Sequence, residues 1–331
     1  MHPPAPMPAT ADASLRVEYR REPLEDLLGA PGTLAVFGFG DDAPPAHPDP
    51  RYVHVALPVL GTPPFEVWRV DAEVRHGRLD GTAWSEGGGL QFGALHVDDD
   101  GDAEAATRRA YQYLHAWLAG SSHPHPLRIW NYLDAITRGD GDDERYRRFC
   151  VGRAQGIGRD LAPGELPAAT AIGHPRATGR LQLYWLAAAA PGIPLENPRQ
   201  LQAWRYPRQY GPQPPGFARA LLPPSPRMPL LISGTAAIVG HASRHGDSLD
   251  TQFDEVLANL GSLVNAARVL RPGLSPRAGA DTRLKAYVRD AAALPAVDAL
   301  LAARLPDVPR LVLHGHVCRR ELAVEIDGVH G

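Results

Sequence analysis

The chain has 331 residues, 44% of them hydrophobic and 21% charged, with a formal net charge of −3. These proportions exclude a disordered chain and a nucleic-acid binder working through a strongly basic surface, and they suit one large domain or two ordinary ones. Lys285 is the only lysine, as in chains from GC-rich genomes, so each arginine has to be judged by position. Two cysteines, Cys150 and Cys318, cannot build a disulfide framework, which makes a reducing cytoplasm the expected setting. No run of about 18 apolar residues occurs, so no membrane span is expected.

Residues 1–15, "MHPPAPMPATADASL", lack the apolar core of a secretory signal and read as a disordered tail. Three strand-like runs follow: "TLAVFGFG", "YVHVALPV" and "FEVWRVDAEV". Next come a strand ("GGLQFGALHVDD"), a helix ("AEAATRRAYQYLHAWLAG"), a strand ("HPLRIWNYL"), a helix ("DERYRRFCVGRAQGIG") and an expected strand pair ("PAATAIGH", "GRLQLYWLAA"). A Pro-rich stretch, "YPRQYGPQPPGFARALLPPSPRMP", is too long and aromatic for a plain linker and is expected to help build a site.

The same order then recurs. "MPLLISGTAAIVG" reads as a strand. The next helix repeats Phe253, Val256, Leu257, Leu260, Leu263, Val264 and Ala267 at helical spacing, with Ser248 or Asp250 as its cap. "TRLKAYVRD" is a strand, "LPAVDALLAARLP" a short helix, and "PRLVLHGHVCRRELAVEIDGV" an expected hairpin turning near Arg319–Arg320. Two strand–helix–strand–helix–hairpin units form an internal duplication of pattern, each with two helices on one face of a mixed sheet.

The C-terminal unit resembles the RidA/YjgF-type fold in its order of "LISGTAAIVG", "QFDEVLANLGSLVNAA", "LKAYVRD" and "LAVEIDGV". Over about two-thirds of the chain the resemblance is to the chorismatases, carried by "RIWNYL" (128–133), "YRRFCVGRAQGI" (146–157), "PAATAIG" (167–173), "YPRQYGP" (206–212), "SGTAAIVGH" (233–241) and "CRRELAVEIDG" (318–328). The resemblance implies an α+β fold of two RidA/YjgF-like (chorismate mutase-like) mixed-sheet domains. They are expected at 16–225, with extra strands and the Pro-rich connection, and at 226–331 as the catalytic domain. It also implies cleavage of chorismate to pyruvate and a cyclic acid, with no metal, nucleotide or redox cofactor. The implied partner is that small molecule, with no nucleic acid and no membrane, in a monomer or small homo-oligomer.

Chorismate carries two carboxylates and an enol ether. Its recognition calls for arginine forks, and its cleavage for a proton delivered to the enol-ether methylene carbon. An acid protonated near neutral pH must be a carboxyl raised by burial, and Glu325, in the apolar run "LAVEIDGV", is the expected donor. Cys318 is implied by the resemblance to shape the ring pocket and to select 3-hydroxybenzoate over a dihydroxylated diene acid. Some relatives also release 4-hydroxybenzoate. A two-residue turn would put Cys318 and Glu325 on one sheet face, about 13 Å apart. Arg128 and Arg153 are the expected carboxylate clamps, with Tyr132, Tyr206, Arg208, Tyr210, Gly234, Thr235 and Ala236 completing the substrate site.

Two other readings compete. His241 and His245, four apart, with His314 or His316, could suggest a metal site, but HxxxH without a neighbouring Glu is a weak zinc signal. A RidA-type imine/enamine deaminase would use Arg310 and Glu325. A non-enzymatic module would bind a small acid without turnover.

Overall fold

The computed structural model describes residues 13–331. Residues 1–12 of the expected tail lie outside the described residues, whereas Ala13, Ser14 and Leu15 are buried. The N-terminal region carries β1 (Arg16–Arg20), α1 (Leu24–Gly29), β2 (Thr33–Phe39), β3 (Tyr52–Val55) and β4 (Phe65–Arg69). The first repeat comprises β5 (Arg75–Leu79), β6 (Thr82–Gly87), β7 (Leu90–Asp98), α2 (Ala103–Ala119), β8 (His125–Asp134), α3 (Arg145–Ile157), β9 (Ala168–His174) and β10 (Arg180–Ala188). The second begins with β11 (Ile193–Leu195), β12 (Ala220–Leu222), β13 (Leu230–Ala236) and a small hairpin, β14 (Ile238–Val239) and β15 (Ala242–Ser243). It ends with α4 (Leu249–Leu270), β16 (Thr282–Val288), α5 (Leu294–Arg304), β17 (Arg310–His314) and β18 (Val324–His330).

The duplication is visible in the sheet topology. The two six-stranded sheets run β5-β6-β7-β10-β8-β9 and β11-β12-β13-β18-β16-β17. Each is antiparallel except for one edge pair, β8–β9 or β16–β17, which a helix crossover joins in parallel. The expected terminal hairpins do not form. The last strand of each repeat inserts between two earlier ones, β10 between β7 and β8 and β18 between β13 and β16. The pairing partners are therefore distant in sequence and the "hairpin" strands are separated by a third. The second sheet also takes β11 and β12, which precede residue 226, so the C-terminal unit starts earlier than the sequence pattern suggests.

Helices α2 and α3 cover one face of the first sheet, and α4 and α5 one face of the second. The side chains of Asp102 and Ser248 cap α2 and α4 by accepting from the amides of Ala105 and Thr251. Gly152 lets α3 lie directly on α2, because a Cβ there would sit 2.2 Å from the Glu104 carbonyl oxygen. The opposite faces of both sheets meet a third, four-stranded sheet, β1-β4-β2-β3, in an aromatic core that includes Phe37, Trp68, Phe92, Trp130, Tyr184 and Tyr287. Among the described residues no helix is long and apolar enough to cross a membrane, and both cysteines are free.

The two repeats join along β9. The Ala169 amide donates to Ser233 Oγ (2.9 Å), and Gly173 and His316 exchange backbone hydrogen bonds (both 2.8 Å). Opposite β9, the pairing of β13 with β18 slips between Ile232 and Thr235. The Gly234 amide, freed from the ladder, donates to Thr170 Oγ1 instead (3.0 Å).

Candidate active site

A cavity of about 310 Å³ opens beside that slip, lined from both repeats. The first repeat contributes Asn131 of β8, Tyr146, Phe149 and Arg153 of α3, and Ala169, Thr170 and Ala171 of β9. The second contributes Gly234 and Ala236 of β13, Glu325 of β18, and the loop residues Cys318, Arg319, Arg320 and Glu321. The Pro-rich segment closes the wall with Tyr206, Gln209, Tyr210, Pro215, Phe217 and Arg219.

Glu325 is 5% exposed, and its carboxylate makes no hydrogen bond to a described residue. Burial first, and then the negative charge of Asp327, push its pKa up to about 8. The carboxyl lies over Gly234, where a Cβ would stand 2.0 Å from Glu325 Oε1, so only glycine leaves it this position. Cys318 is half-buried and lines the cavity. Burial, followed by the Glu325 charge, pushes its thiol up to about 12, so it stays protonated and is no thiolate nucleophile.

Three guanidinium groups of the same cavity wall make no ion pair with a described residue. Arg153 is 5% exposed and leans over the Tyr111 ring (5.2 Å), and its Nε has no partner. It enters no ion pair with a described residue, and a buried cation in that state calls for an anion. Arg219 donates to the Tyr206 hydroxyl (2.7 Å) and the Leu201 carbonyl (2.9 Å), and its Nε is likewise unpartnered. Arg319 stacks over Tyr210 (4.0 Å) and donates to the His241 carbonyl (2.9 Å). The site thus pairs one neutral acid with a surplus of positive charge.

Of the residues expected from sequence, Glu325, Cys318, Arg153, Tyr206, Tyr210, Gly234 and Ala236 line this cavity. Four others do not. Arg128 is wholly buried, donating to Asp327 Oδ2 (3.0 Å) and Thr170 Oγ1 (2.5 Å) over the Trp130 ring (4.2 Å). Tyr132 is also sealed, its hydroxyl held by those of Tyr184 (3.2 Å) and Tyr287 (3.1 Å). The cause is strand alternation: β8 turns Asn131 to the cavity and therefore Arg128, Trp130 and Tyr132 to the other face. Thr235 is turned away between Gly234 and Ala236 for the same reason, its hydroxyl donating to the Ser233 carbonyl (3.0 Å). Arg208 is exposed and paired with Asp142 (2.5 Å). Cys318 and Glu325 do not face each other across a hairpin, because residues 315–323 form a loop.

Sequence reasoning missed Arg219, Arg319, Tyr146 and Thr170. Arg219 sits in the Pro-rich segment already marked as a site builder, and Arg319 next to Cys318. No sequence spacing could link either to Arg153. The two histidines of the possible metal site separate: His241 Nδ1 meets the Tyr210 hydroxyl (3.1 Å), while His245 meets Glu255 (3.3 Å).

Comparison with known proteins bears on the family of the whole chain. Residues 66–187 match the family model described as "Chorismatase FkbO/Hyg5-like, N-terminal". The chain is 36% identical to a 3-hydroxybenzoate synthase of Streptomyces hygroscopicus over 278 residues, which is 80% of this chain and 81% of that protein. It is 37% identical to a chorismatase of Streptomyces rapamycinicus over 275 residues, with 80% and 81% covered. A chorismatase crystal structure superposes with a TM-score of 0.82 at 32% identity, covering 96% of this chain and 98% of the other. The chain belongs to the chorismatase family of enzymes.

Proposed function

We propose that this protein cleaves chorismate to 3-hydroxybenzoate and pyruvate, with Glu325 as the general acid. The observation that carries this reading is a buried, unbonded carboxyl, its pKa pushed up to about 8, in a cavity lined by five arginines, of which Arg153, Arg219 and Arg319 are the least exposed to acidic partners. Arg153, Arg219 and Arg319 would take the two carboxylates of the substrate, with Tyr206 and Tyr210 ordering the latter two. Glu325 gives its proton to the enol-ether methylene carbon and creates an oxocarbenium ion. The neighbouring ring hydroxyl attacks the ring carbon that bears the ether and loses its proton as the ring–ether bond breaks, and pyruvate leaves with the ether oxygen as its ketone. The bridging oxygen then parts from its original ring carbon and takes up a proton, while the carbon that keeps it loses its hydrogen and the ring becomes aromatic. Substrate and the two products balance without water, whereas a dihydroxylated diene acid would require one water molecule. Cys318 supports the first outcome by occupying the ring side of the cavity with a neutral, weakly polar thiol.

The deaminase reading loses its second residue, because Arg310 is bound to Asp298 (2.7 Å) and is absent from the cavity wall. Chromatography of the products formed from chorismate tests the proposal. We expect 3-hydroxybenzoate and pyruvate in equal amounts, and the diene acid as sole aromatic-ring precursor released would refute the role given to Cys318. Absence of pyruvate would refute the activity itself.

A further inference from the structure

Arg153 also lines a second cavity, which Glu325 does not reach. This cavity measures about 540 Å³ and lies beneath α2, α3 and the loop after α3. Its walls are mainly apolar, with Leu114, Leu118, Ile129, Ile157, Leu166 and Leu221 among them. The acidic residue on its rim, Glu165, is held by both terminal nitrogens of Arg159 (2.9 and 2.8 Å). The unspent charge facing this apolar space is therefore that of Arg153, nine-tenths buried, with an unpartnered Nε and no ion pair to a described residue.

We infer that the second cavity binds an elongated apolar monocarboxylate, its carboxylate on Arg153 and its aryl or alkyl body against the aliphatic wall. A single anionic head matches the single guanidinium, and the apolar lining disfavours a second charge. Because Arg153 serves both cavities, such an acid competes with substrate for the guanidinium without entering the space beside Glu325. The site is thus an inhibitory one, responsive to elongated apolar acids. This competitive consequence rests on the proposed function, while the binding itself does not.

Calorimetric titration of the intact protein with 4-butylbenzoate tests the inference. Ala119→Trp and Leu161→Trp place bulk in the second cavity from an exposed and a half-buried position, and neither residue lines the cavity of Glu325. One equivalent is expected to bind the wild type, with affinity reduced about tenfold or more in both tryptophan variants and in Arg153→Gln. The same acid should inhibit pyruvate release competitively in the wild type and lose that effect in Ala119→Trp, whose kcat and KM stay within about twofold. No binding, or equal affinity in the wild type and both tryptophan variants, would overturn the inference. Binding with this pattern in a protein that leaves chorismate intact would uphold the inference and defeat the proposed function instead.

Discussion

Two carboxylates two residues apart on one face of β18 have opposite surroundings. Asp327 Oδ2 accepts from Arg128 (3.0 Å), Trp130 (2.9 Å), Thr170 (2.8 Å) and Tyr287 (3.2 Å), and Lys285 stands 3.9 Å from its other oxygen. Lys285 also pairs with Glu66 (2.9 Å), so two cations and two anions balance in this region. Two positions earlier, Glu325 receives no donor from the described residues, and neighbouring arginines keep nitrogens free. The first region is closed, and the second opens on a cavity. The difference shows how one strand separates two environments: hydrogen-bond donors close around Asp327, while Glu325 is denied them and burial raises its pKa.

The largest expected effect comes from removing the acid. Glu325→Gln should lower kcat by about 10²–10⁴-fold while chorismate binding, read by calorimetry, persists. The same substitution should alter the pH dependence of stability. Glu325 binds its proton up to about pH 8 when folded, against an ordinary carboxyl value of 4.5 when unfolded. Its contribution is complete below the unfolded value and is lost as pH rises through the folded one. Chemical denaturation between those limits should show a fall with pH in the wild type that Glu325→Gln lacks.

Asp327→Asn attacks the closed region and should destabilise the protein by about 3–5 kcal/mol, because Arg128 is left buried without its counter-ion. Where the variant still folds, loss of the Asp327 charge removes one cause of the raised pKa of Glu325. The alkaline limb of kcat/KM should therefore move to lower pH, an outcome that a purely structural role for Asp327 would not produce.

Gly234→Ala should push the flexible end of Glu325 aside, lowering kcat about 10-fold or more with little change in melting temperature. A comparable loss of stability would mean that the bulge, rather than the carboxyl, had moved. Arg208→Ala should have the smallest effect, within about threefold in KM, since its exposed pair with Asp142 is screened by solvent and lies outside the cavity wall.

Helical periodicity made the helices legible, and the repeated order of elements made the duplication so. The position of the last strand in each repeat was not legible, because β10 and β18 insert between strands far away in sequence and no local signal records it. The same limit governed the site. Glu325 stood out as a carboxyl in the apolar run "LAVEIDGV", where burial is the chief cause that raises its pKa. Arg128 and Tyr132 looked like ligands because they share a motif, yet the cavity lies on the face of β8 to which Asn131 points. Arg219 and Arg319 reach the cavity through irregular segments, where neither period nor spacing predicts a direction.

Infrared difference spectroscopy of the resting enzyme against Glu325→Gln, across pH 6–10, measures the protonation of this one side chain. The account predicts a protonated-carboxyl band at neutral pH, absent from the variant and titrating away near 8. A Glu325 already ionised at pH 6 would contradict it.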